Sequence, residues 1–197
     1  KMITVPDLAK KTDKFFMGNS GKINAELTKK QKVRNSPRIL RFLEKYLYIK
    51  EHYANGTFIT SDGSIDPEFR AIYLDFYTIV VGIHVTQAFI DEYFEILKDS
   101  KTWKSGWNWR KKYYDIAKRL EPYSEGKFQL SFISKLLHTV DNTFPIYDKN
   151  VRGVLDISNN TGSSYSDKAT NGEKILEQLK KQYAALAKNV DFGKLVK

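Results

Sequence analysis

Residues 128–155, FQLSFISKLLHTVDNTFPIYDKNVRGVL, limit the fold of this chain more than any other stretch. Leu130, Ile133, Leu137 and Val140 recur at helical spacing, so one apolar stripe runs along a helix and needs a core to cover it. Ser131, Lys135 and His138 follow at spacings of four and then three, and share another face. Pro145 bars the helix from continuing, which makes residues 142–147 a turn. Asp148 precedes Lys149, Asn150 and Val151, where a carboxylate can cap the first turn of a second helix. Helix, turn and helix therefore bring a lysine and a carboxylate near one another.

FPIYDKNVRGVL resembles the segment with which helix–hairpin–helix DNA glycosylases present their catalytic aspartate. SKLLHTVDNTFPIYD is similar to divergent bacterial proteins of the 8-oxoguanine-glycosylase type. The resemblance spans at most residues 103–155, about a quarter of the chain. It implies a mainly α, single-domain helical bundle over residues 1–197, with DNA, or alternatively RNA, as partner. Catalysis would fall to Asp148 as the charge-stabilising carboxylate, with Lys135 or Lys127 as an amine nucleophile. DNA contacts would come from Trp103, Trp107, Arg110, Lys111, Lys112, His138, Lys149 and Arg152. Two features depart from the family. Where it has a Leu-Pro-Gly-Val-Gly hairpin followed by lysine, residues 121–129 read EPYSEGKFQ, with Gly126-Lys127 as a remnant. Lys135 stands 13 positions before Asp148, short of the family's spacing; Lys127, at 21, fits better but lacks the surrounding motif.

Charge is unevenly spread. Residues 1–50 hold 13 Lys/Arg against 4 Asp/Glu, while residues 51–100 hold 2 against 9. Residues 101–150 return to 10 against 5, so two basic segments can form one face that attracts a polyanion, or simply a solvated surface. The absence of cysteine excludes disulfides, thiol catalysis, zinc–thiolate sites and the iron–sulfur cluster of some glycosylases. No apolar run is long enough for a signal peptide or membrane span, which predicts a soluble, cytoplasmic protein without membrane contact.

Along the chain, helices are predicted over residues 7–17, from Ile23, and again from Pro37, with Ile39, Leu43, Tyr46 and Leu47 as the buried stripe of the last. Residues 58–65 suit one small β-hairpin turning at Asp62-Gly63. Ile72, Phe76, Ile79, Val80 and Ile83 recur at helical spacing, and Phe89, Ile90, Phe94 and Leu97 continue the pattern beyond Gly82; these helices should be the core. Residues 101–119 interleave aromatics and bases, as a base-stacking surface requires, although the tryptophans could equally pin a loop to the core. Residues 156–173 read as a mobile loop, followed by a helix from Lys174 with Ile175, Leu179, Tyr183 and Leu186 inward.

The three histidines, His52, His84 and His138, have no metal-ligand spacing, and no phosphate-binding glycine loop occurs, so neither a metal nor a cofactor is expected. Ser134, His138 and Asp148 contain triad residue types without a nucleophile elbow. Three functions remain open: a glycosylase-like repair enzyme, a non-catalytic nucleic-acid-binding protein on the same scaffold, and a helical protein-interaction module.

Overall fold

The computed structural model describes residues 37–80, 82, 85–103 and 107–187. The helices expected over residues 7–17 and from Ile23 lie outside these, as do His84 and the side chains of Ile39, Leu43 and Leu186. The described chain is all-α, as its periodicity predicts, with no strand among the described residues.

Helix α1 spans Pro37–Asn55. It buries Ile49 and Tyr53, whereas Leu47 is 63% exposed. Of the expected stripe, Tyr46 is half-buried but Leu47 faces outward, and the buried side continues instead through Ile49 and Tyr53. A turn follows in which the Thr60 N–H bonds Ser64 O at 2.9 Å and the Asp66 N–H bonds Phe58 O at 2.9 Å. The expected hairpin is reduced to a single antiparallel bridge between Ile59 and Ile65, with Gly63 at φ 81° in the turn. Its anchor is Phe58, which is fully buried.

Helix α2 covers Pro67–Phe76 and is capped by Asp66, whose Oδ1 accepts the Phe69 N–H at 2.7 Å. The helical spacing seen through Ile83 does not hold past Phe76. Thr78 adopts φ 54°, Ile79 turns inward and Val80 is 75% exposed. Spacing alone could not show this, because residues outside a helix can recur at helical intervals. Helix α3, Gln87–Asp99, buries Phe89, Ile90, Tyr93, Phe94, Ile96 and Leu97, and with α2 supplies much of the core as expected.

A short 3-10 turn, Ser100–Thr102, leads toward α4, Trp109–Leu120, which Asn108 caps. A second 3-10 turn, Glu121–Tyr123, and a left-handed pair, Glu125 and Gly126, occupy the segment before the next helix. Helix α5 spans Leu130–Val140. It packs against α1, α4 and the last helix, and its apolar contacts extend past the expected stripe to Leu136. Helix α6 is Lys149–Leu155.

The last helix, α7, begins at Tyr165 and runs to Ala187, so residues 165–173 are helix and not loop. The polar composition conceals a capping box: Ser164 Oγ accepts the Asp167 N–H at 3.0 Å, and Asp167 Oδ2 accepts the Ser164 N–H at 3.1 Å. Gly172, which looks like a breaker, is a point of close approach. A Cβ there would overlap the Tyr113 hydroxyl and lie 3.0 Å from Leu130 Cδ1. Tyr113 and Tyr165 tie α4 to α7 by donating to Ala169 O and Ala117 O, each at 2.7 Å. Ile175 and Leu179 face inward as expected, while Tyr183 is 37% exposed. No described helix is long and apolar enough to cross a membrane.

Candidate functional site

Asp148 is placed by the turn that precedes it, and that turn is held by α5. Ser134 Oγ accepts the Tyr147 N–H at 2.9 Å, and His138 Nδ1 lies 2.7 Å from Phe144 O. Asp141 Oδ1 accepts the Thr143 N–H at 2.9 Å, closing the start of the turn. Phe144 packs against Trp109, with ring centres 5.5 Å apart. Asp148 then accepts the Val151 N–H on Oδ1 at 2.8 Å, the expected cap of α6.

Beside Asp148 opens a pocket of about 310 Å³. Asp148, Lys149 and Arg152 line one side, Gln129 and Ser131 another, and Phe128 and Tyr147 supply aromatic wall. The Arg152 guanidinium lies 5.8 Å from the Tyr147 ring centre. The structure thus unites three of the sequence-derived candidates, Asp148, Lys149 and Arg152.

The two candidate nucleophiles stand outside this pocket. The Lys135 ammonium donates to Tyr77 O at 3.1 Å and lies 5.6 Å from the Phe132 ring centre. Burial pushes its pKa down, and the nearby Asp148 charge opposes part of that shift. Lys127 is exposed on the turn before α5, with its backbone N–H on Ser124 O at 2.8 Å.

The remaining candidates disperse. His138 is largely buried, with its pKa lowered by desolvation, and anchors the Asp148 turn from the far end of α5. Ser134 and His138 each bond backbone, not one another, so they form no relay with Asp148. Arg110 joins α4 to α7 through Glu173 at 2.8 Å and Glu177 at 2.6 Å. Lys111 is exposed beyond the Asn108 cap. Trp103 and Trp107 pack together at 5.2 Å, and the Lys112 ammonium sits 4.8 Å above Trp103, on the border of a different pocket.

Sequence reasoning missed Gln129, Tyr147 and Asn160 as pocket walls, and Lys50 as the group that donates to His138 O at 3.1 Å and Thr139 O at 3.0 Å. Only Ser131 carried a signal, through the helix face it shares with Lys135. Among the described residues, no three His, Asp or Glu side chains converge as metal ligands would. No family model, curated protein or solved structure matches this chain.

Proposed function

We propose that this chain binds DNA through its helical scaffold and hydrolyses an N-glycosidic bond at the Asp148 pocket. The observation that carries this reading is the placement of a fixed carboxylate at a pocket of about 310 Å³ flanked by two cations, Lys149 and Arg152. Such a volume falls at the lower end of small-ligand pockets, a scale suited to one nucleobase turned out of its stack. Lys149 and Arg152 would take the flanking phosphates, while Phe128 and Tyr147 would wall the base.

Breaking the bond between C1′ and the base nitrogen leaves positive charge on the sugar, and the bonding pair departs with the base. The Asp148 carboxylate stabilises that charge, water adds to C1′, and its proton passes through solvent to the departing base. Water is the nucleophile in this scheme because neither Lys135 nor Lys127 lines the pocket. The same observation favours a second reading, a scaffold that binds DNA without cutting it.

Asp148→Asn separates the two. Asparagine caps a helix nearly as well as aspartate, so the melting temperature should hardly move. Base excision on lesion-bearing duplexes should fall by at least about 10²-fold while duplex affinity persists. Borohydride should trap no lysine adduct; an adduct at Lys135 or Lys127 would replace water by an amine. A wild-type protein that binds duplexes yet excises nothing across a broad lesion panel would establish the non-catalytic reading.

A further inference from the structure

The larger of these two pockets, about 440 Å³, lies between α3 and α4, with the core residues Ile96 and Ile116 in its lining. Trp103 forms its planar wall, Lys112, Lys118 and Asp115 line it, and Arg119 closes one side against Asp99. Trp103 is half-buried, backed by Trp107 at 5.2 Å, and its backbone N–H is fixed on Ser100 O at 3.1 Å. The ring is therefore supported by a second indole. What covers it is the Lys112 ammonium, 4.8 Å from the ring centre.

The charges here are not equivalent. Arg119 is held between Glu92 and Asp99, each at 2.6 Å, so its charge is already met. Lys112 contacts a ring, and none of the described carboxylates lies within ion-pair range of it. With Lys118 it faces Asp115, which leaves the pocket's net positive charge small. A ligand held here by charge alone would be held weakly, whereas a flat ring on Trp103 would add a contact that salt does not screen.

We infer that this pocket is a stacking site for one unpaired base of a single-stranded nucleic acid, with Lys112 leaving the Trp103 ring to take the adjacent phosphate. It rests on the nucleic-acid reading above but uses none of the Asp148 pocket. A cation over a partly exposed ring is a weak contact, while a stacked base is worth about tenfold or more in affinity, so the exchange favours the base. Paired bases in a duplex have both faces covered by neighbours and cannot make it.

Fluorescence polarisation on a labelled oligothymidylate, with a duplex of equal length in parallel, tests the site. Trp103→Ala should weaken single-strand binding about tenfold and change duplex binding less than about twofold. Trp103→Phe, which keeps a ring and guards against misfolding, should retain most of the single-strand affinity. Lys112→Met should lower the salt slope of single-strand binding by about one. If Trp103→Ala folds and binds the single strand as the wild type does, the stacking site is overturned and the Asp148 reading stands. If the wild-type protein binds neither strand at low salt, both readings fall together.

Discussion

From its middle to its C-terminal end α5 presents Lys135, His138 and Thr139; at its start stand the N-cap Gln129 and Ser131. At the first, every one of these side chains is met from within. Thr139 Oγ1 lies 3.0 Å from the Tyr73 hydroxyl and donates to Lys135 O at 2.9 Å, and the Tyr73 and Tyr93 hydroxyls are 2.8 Å apart. Burial raises both phenols well above their usual pKa, which keeps this network neutral. Lys50 reaches across from α1 to the last carbonyls of α5, where a cation also complements the helix dipole. At the N-terminal end, Gln129 and Ser131 border the open pocket beside Asp148. The contrast teaches that a helix face does not by itself mark function. A polar group matched inside a protein holds the fold, and one left toward a pocket is available to a ligand.

The largest effects should fall on the closed end. Thr139→Val leaves the Tyr73 and Tyr77 hydroxyls short of a partner, and urea denaturation should show a loss of about 1–3 kcal/mol. Unchanged stability would mean the hydroxyl network contributes nothing. Gly172→Ala, which forces a methyl between Tyr113 and Leu130, should cost a similar 1–3 kcal/mol, roughly, by overpacking.

Next comes pH. Burial pushes the His138 pKa below its usual 6.5, the nearby Lys50 charge adds to the shift, and Asp141 opposes it. The folded state therefore binds fewer protons than the unfolded chain between the lowered value and 6.5. Stability should fall as pH drops through 6.5, and His138→Gln should flatten that slope in melting curves taken from pH 7.5 to about 5. A slope unchanged by the substitution would assign it to other groups.

The smallest effects on stability should be at the open end. Ser131→Ala and Lys149→Ala should each stay within about 0.5 kcal/mol of the wild type. Lys149→Ala should nevertheless lower the salt slope of duplex binding by about one. A Ser131→Ala loss as large as that of Thr139→Val would erase the distinction between the two ends.

The amino-acid sequence by itself determined the helical class, the α5–turn–α6 unit and the Asp148 cap. These depend on neighbours within a few positions, through apolar spacing, the break at Pro145 and a carboxylate before a helix. Local chemistry also defined the start of α7, yet residues 156–173, rich in serine, asparagine and glycine and without apolar periodicity, read as loop; that Gly172 packs closely on Tyr113 and Leu130 is a matter of tertiary structure. Tertiary structure alone decided which cations were already taken. Arg110 and Lys112 are two positions apart on one basic helix; Arg110 meets carboxylates more than sixty residues away in the sequence, and Lys112 meets an aromatic ring. Lys135 was paired with Asp148 by sequence spacing, but its ammonium turned to the Tyr77 carbonyl at the end of α2. Partners distant in sequence leave no periodicity to read, so their assignment belongs to packing.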